Sequence, residues 1–386
     1  MYKRQEYNCG GTFFVSANLV VELVYVPAPI VTIPVVVHVV WNTSAENISD
    51  LQVQSQINVL NQDFRRLNSD ISNAPAAFRG WSSDALYQFC LAQQDPNGLP
   101  TNGITRTNTN ITQFDLPNDT SIWFTALGGK NSWDRNRYLN IWVCDLPGLP
   151  SPGVIGIGFF PWLGAVFPDF DGVVSDYQAF GTFGTATAPV NLGRNSTHEV
   201  GHYLGLRHIW GDESACAGSD SVPDTPNQTV RSSGVPSFPL TDACSQNYPG
   251  VMFNNYMDYS DDAIKNMFTY FQTSRTDAAI RNGGIRASLA TSNGCVPSTV
   301  GMNQLVLSNI VSVFPNPSKG IFQLAGHDEL QNFKIMVTDI VGEKVLETKT
   351  STSKTEIDLS NQPNGVYFLH VSSEKGSLAK KIIINK

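Results

Sequence analysis

His198-Glu199-Val200-Gly201-His202-Tyr203-Leu204-Gly205-Leu206-Arg207-His208 is the stretch on which the reading of this chain turns. Its first residues have helical character, and residues four apart share one helical face, so His198 and His202 aim their imidazoles at a common point. Gly205 can adopt the left-handed conformation that ends a helix and turns the chain, which lets His208 arrive as a third ligand. Three nitrogen ligands leave one position of a zinc ion open to water, whose pKa the metal lowers. Glu199, beside the first ligand, is placed to accept that proton as general base and to deliver it to a leaving amine. HExxH alone is a weak signal. Here three histidines, a glutamate and a turn glycine coincide, and half of the chain's six histidines fall within the motif.

Outward from the motif, Ile33 to Trp41 is a continuous apolar, β-branched run, as expected for a strand buried on both faces. Ser49 followed by Gln52 reads as a capping box, and Val53, Ile57, Leu60 and Phe64 then recur at helical spacing, predicting an amphipathic helix across the sheet. Leu86 to Ala92, Tyr138 to Val143 and Val154 to Phe160 are further candidate strands. From about Leu305, seven short β-type segments between residues 310 and 384 alternate with turn signals such as Pro315-Asn316-Pro317, which describes a small β-sandwich. The fold class is therefore α+β followed by a sandwich, and 386 residues are more than one hydrophobic core usually holds.

Only 15% of residues are charged, and Lys+Arg 25 against Asp+Glu 33 gives a net charge of −8 with no basic run, which argues against nucleic acid as a partner. No apolar stretch approaches the ~20 residues of a membrane-spanning helix. Lys3 and Arg4 precede an apolar region, Thr12 to Val26, but Asn18 and Glu22 interrupt it, so no clear signal peptide is read. None of the six cysteines forms a CxxC pair, which disfavours a thiolate zinc site and permits disulfides outside the cytosol. Cys216 and Cys244 bracket a long irregular loop and are the expected pair. The pairing of Cys9, Cys90, Cys144 and Cys295 stays open, with Cys90 and Cys144 equally readable as buried thiols. No heptad or large apolar repeat predicts an oligomer, so a monomer is expected.

His198 to His208 followed by Asn255-Tyr256-Met257-Asp258-Tyr259 resembles the metzincin zinc metalloproteases, and Ile33 to Trp41, Asn47 to Asn68, Leu91 to Arg106, Tyr138 to Leu146 and Arg207 to Asp212 resemble the pappalysin family among them. The resemblance implies a mixed sheet with helices above the cleft and an irregular lower subdomain below it. It makes Met257 the Met-turn beneath the histidines, Tyr259 a catalytic phenol stabilising the oxyanion, and Val154 to Phe160 the strand along which an extended polypeptide lies. It also implies Ca2+ held by Asp220, Val222, Asp224 and Thr225. Ile264 departs from the family, whose members often have cysteine there. Where the pocket after the scissile bond is acidic, relatives prefer Arg or Lys, and Asp261 and Asp262 are the nearby carboxylates. The C-terminal module is similar to the sorting domain of type IX bacterial secretion, through Phe314 to Gly320, Asp339 to Lys344, Asn364 to Phe368 and Lys380 to Lys386. This implies the type IX machinery as a partner and a secreted or cell-surface bacterial protein.

The expected organisation is an N-terminal segment (1–30), either a pro-segment remnant or an aberrant start, a catalytic domain (31–295), a linker (296–307) and the sandwich (308–386). The expected function is that of a secreted zinc metalloendopeptidase. The rival is a catalytically silent surface binding or adhesion protein on the same fold, which an intact Glu199 disfavours.

Overall fold

The computed structural model describes residues 28–149, 153–213, 216–281, 283–298, 311–326, 333–340, 342–350, 352, 354–373 and 376–386. The N-terminal segment up to residue 27, with Cys9, and most of the expected linker lie outside them. The chain forms two compact units. One ends at Val296; the other runs from Pro297 to Lys386, with Asn97–Pro100 grouped with it.

In the first unit, strand β1 (Val31–Trp41) is the apolar run anticipated from its β-branched residues, and it is buried along nearly its whole length. On one edge its first half pairs with β2 (Tyr87–Leu91) and its second half with β3 (Ile104–Asn108); on the other it pairs with β4 (Leu139–Cys144), all parallel. A short strand β5 (Gly156–Gly158) runs antiparallel to β6 (Val173–Asp176), giving the order β2-β1-β4-β6-β5, with β5 at the edge. Parallel central strands need cover on both faces. Helix α1 (Asp50–Phe64) supplies it on one face through Val53, Ile57, Leu60 and Phe64. Ser49 caps α1 by accepting from the Gln52 N–H at 3.1 Å, but the expected reciprocal half of the capping box is absent. The Gln52 amide instead reaches Phe180 O and Thr185 Oγ1, both at 2.9 Å. Short helices α2 (Ala76–Arg79) and α3 (Pro161–Val166) precede α4 (Arg194–Tyr203), and α5 (Tyr270–Ile280) closes the unit.

The strand expected over Val154–Phe160 shrinks to three residues. A Cβ on Gly158 would fall 2.0 Å from Glu199 O, and one on Gly156 would fall 2.8 Å from the Glu199 carboxylate, so this edge is pressed directly against α4. Cys90 bonds to Cys295, tying the end of the unit to β2, while Cys144 is a buried free thiol.

The second unit stacks a sheet of β10 (Lys344–Thr350), β9 (Phe333–Thr338), β12 (Gly365–Ser373) and β13 (Gly376–Ile384) with one of β11 (Lys354–Asp358), β8 (Ile321–Gly326) and β7 (Val311–Phe314). Its own apolar core includes Phe322, Leu324, Ile335, Val337, Leu369 and Ile382.

Candidate metal centre

Every residue of α4 is buried. Its N-cap, Gly193, has φ +74° and no side chain to cap with. The missing cap comes from Asp262, whose Oδ2 accepts from Leu192 N at 3.0 Å and Arg194 N at 3.1 Å, a carboxylate at the positive end of the helix dipole. Arg194 pairs with Asp63 of α1 at 3.1 Å and with Asp70 at 3.2 Å, and Thr197 Oγ1 donates to Asp63 at 2.7 Å. The helix is thereby fixed in rotation and depth.

That placement brings three imidazoles together. His202 Nε2 lies 3.0 Å from His198 Nε2 and 3.1 Å from His208 Nε2. Each Nδ1 faces an acceptor: Tyr256 O at 2.7 Å for His198, Leu206 O at 2.7 Å for His202, and Asp212 Oδ1 at 2.5 Å for His208. The hydrogen of each ring therefore sits on Nδ1, and three lone pairs converge with no proton between them. Such crowding repels unless a cation lies among the nitrogens. Burial, followed by the neighbouring histidines, depresses the His198 pKa well below its ordinary value and brings His202 down to about 3, which keeps both rings neutral as a metal requires. Gly205, with φ +96°, turns the chain after α4 so that His208 can reach the group.

Glu199 is buried on the same helix. Desolvation pushes its carboxyl up to about 8, against the opposing pull of the Gly158 N–H and Lys265. Met257 is fully buried under the triad, and a Cβ on Gly201 would sit 2.5 Å from its sulfur, so a larger residue there would push the methionine aside. Tyr259 is 43% exposed, its ring 5.4 Å from that of His198 and 4.9 Å from that of His208. Trp210 stacks on His208 at 4.2 Å. A cavity of about 510 Å³ opens over His198, Glu199, Tyr259 and the β5 segment.

The loop at 220–225 lies apart from the triad's hydrogen bonds. Thr225 Oγ1 faces Asp220 Oδ2 at 2.8 Å and Val222 O at 2.9 Å. Asp224 turns to α5, accepting from Thr269 Oγ1 at 2.6 Å and Phe271 N at 3.0 Å. Cys216 and Cys244 are bonded. Sequence reasoning assigned no role to Asp212, Asp63 or Arg194, and considered Asp262 only as a carboxylate near the pocket after the scissile bond, not as the cap of α4. Asp212, four residues after His208, stands close to its partner in sequence.

A helix carrying two histidines under a sheet whose edge strand borders the cleft, with a third histidine beyond a glycine turn and a methionine below, defines a metzincin-type metalloendopeptidase. The family model described as pregnancy-associated plasma protein-A matches residues 129–281, and that of a secretion system C-terminal sorting domain matches residues 312–385. Extracellular metalloproteases of Arthroderma benhamiae and Arthroderma otae are 32% and 30% identical to this chain, in each case across 64% of it and 76% of the relative. The structure of Tannerella forsythia mature mirolysin in complex with a cleaved peptide is 48% identical, with a TM-score of 0.67, covering 71% of this chain and all of that one. The chain belongs to the pappalysin family. It is a secreted metalloendopeptidase whose C-terminal domain directs it through type IX secretion.

Proposed function

We propose that the metal is zinc, held by His198, His202 and His208, and that Glu199 is the general base and acid of peptide-bond hydrolysis. The observation that supports this most is the convergence of three unprotonated Nε2 atoms, since a neutral all-imidazole set suits zinc. When bound, zinc supplies Lewis acidity, which lowers the pKa of water and polarises the scissile carbonyl. Glu199 takes a proton from the attacking water on its carboxylate and passes it to the departing amine nitrogen. Tyr259 donates its phenolic hydrogen to the oxyanion. Met257 keeps the floor of the triad apolar and water-free. An extended substrate adds its backbone to the edge strand β5.

Glu199→Ala tests the assignment. Cleavage of an unfolded protein should fall by about 10²–10⁴-fold with zinc content unchanged. A variant that binds zinc and cleaves as well as the parent refutes it, and a parent that binds zinc without cleaving favours the adhesion reading.

Calcium at 220–225 belongs to the same reading. Thr225 Oγ1 lies 2.8 Å from Asp220 Oδ2 and 2.9 Å from Val222 O, so this turn gathers three oxygens of the kind a hard cation takes. Asp224 would have to share its carboxylate with α5. Calcium should raise the melting temperature over that in a calcium chelator; identical melting curves would reject the site.

A further inference from the structure

Beyond Glu199 the cavity has a second wall, made by Val190, Asn195, Arg231, Asp261 and Lys265. Asn195 lies one helical turn before Glu199. Because Glu199 hands its proton to the leaving amine, the residue that carries this amine sits on the Glu199 side of the cavity, which these residues also line.

Asp262, a buried carboxylate paired with the lining residue Lys265, is already engaged at both oxygens. Oδ2 caps α4 through Leu192 N and Arg194 N, and Oδ1 lies 3.2 Å from Lys265 Nζ. Both side chains are buried, at 0% exposure for Asp262 and 7% for Lys265. A basic substrate side chain would have to compete with Lys265 for this carboxylate, with Arg231 as a further cation on the same wall. Lys265 is itself shielded from water, where repulsion between like charges is far stronger than at a surface. Asp261 is the other carboxylate there besides Glu199, against the two cations. Lys265 carries three donors, of which one carboxylate oxygen engages one.

Resting on the peptidase reading above, we propose that Lys265 is a specificity-determining residue. It serves as the internal counter-ion of Asp262, so that the pocket rejects Arg and Lys after the scissile bond and accepts a side chain ending in a carboxylate or carboxamide, Glu or Gln above all. The acceptor oxygens of such a side chain meet donors of Lys265 and Arg231 without displacing the Asp262 pair. Specificity then comes as much from the repulsive element as from the attractive one.

Digestion of a peptide library by the parent, Lys265→Met and Lys265→Arg, with the new N-termini sequenced, tests this. The parent should release peptides beginning with Glu, Gln, Asp or Asn, with Arg and Lys depleted. Lys265→Met, which frees one oxygen of Asp262, should shift the Arg-to-Glu ratio of kcat/KM on matched peptides by at least about tenfold towards Arg. Lys265→Arg keeps the cation and should keep the parent profile. Should Lys265→Met not fold, the parent profile and Lys265→Arg decide. A parent that cleaves chiefly before Arg or Lys, or a Lys265→Met ratio equal to the parent's, overturns the inference and leaves the peptidase standing; no cleavage by the parent overturns both.

Discussion

Tyr259 differs from phenylalanine by one hydroxyl, and its ring packs against two histidines and Trp210 through contacts that phenylalanine would keep. Tyr259→Phe should therefore fold and bind metal as the parent does, while kcat falls by about 10²-fold through loss of one oxyanion donor. Single-turnover kinetics beside metal analysis checks this; an unchanged kcat would make Tyr259 a packing residue only. At this scale the sequence was most legible where spacing and chemistry coincide, as in His198, Glu199, His202 and His208. It was least legible where a residue acts across a long separation. Asp262 caps α4 from 70 positions away in the chain and pairs with Lys265 three positions ahead, and nothing in its local pattern announces the first of these tasks. Cys90 and Cys295 likewise meet only because folding closes a separation of 205 residues.

Among the elements, β1 was plain from its unbroken β-branched run, while β3, Ile-Thr-Arg-Thr-Asn, was hidden because it is only partly buried and its polar residues look like loop. Helix α5 was missed although Thr269 and Gln272 form the capping box that should have marked it. Within β1, His38 is buried between Thr105 Oγ1 at 2.8 Å and Asn140 Oδ1 at 3.0 Å. Burial first, with Lys130 adding to it, lowers its pKa from 6.5 to about 4 against the hydrogen bond with Asn140. Since the unfolded chain takes up this proton near pH 6.5 and the folded chain only near 4, the contribution of His38 is fully present above 6.5 and lost as pH falls through about 4. The gap is worth about 3 kcal/mol. Asp63 and Asp176, both held up to about 6 by burial, act in the opposite sense, because the folded state keeps their protons to higher pH. The stability difference between parent and His38→Gln isolates the histidine: it should favour the parent at pH 7.5 and move by about 3 kcal/mol towards the variant by pH 3.5. Parallel stability curves over that range would show that His38 does not titrate differently on folding.

At the scale of the molecule the two units have separate cores, one around Ile33, Val35, Ile57, Val200 and Met257, the other around Phe322, Ile335 and Leu369. The change from mixed elements to short regular strands after about residue 305 made the second unit visible in sequence, since hairpin turns punctuate it at even intervals. Among the described residues both disulfides, the triad, Glu199 and the cleft fall before Val296, and the bond from Cys295 to Cys90 ties the last residues of the first unit to its sheet edge. Catalysis and export should then be separable. A chain ending at Val296 is expected to melt cooperatively, bind one metal and cleave peptides with a kcat/KM within about twofold of the whole protein, as a domain with its own core should. Expressed in a bacterium with type IX secretion, the same shortened chain should stay inside the outer membrane while the full chain reaches the medium or the surface. Loss of cleavage together with loss of cooperative melting would mean that the sandwich supports the peptidase fold; appearance of the shortened chain outside the cell would mean that residues before Val296 carry their own export signal.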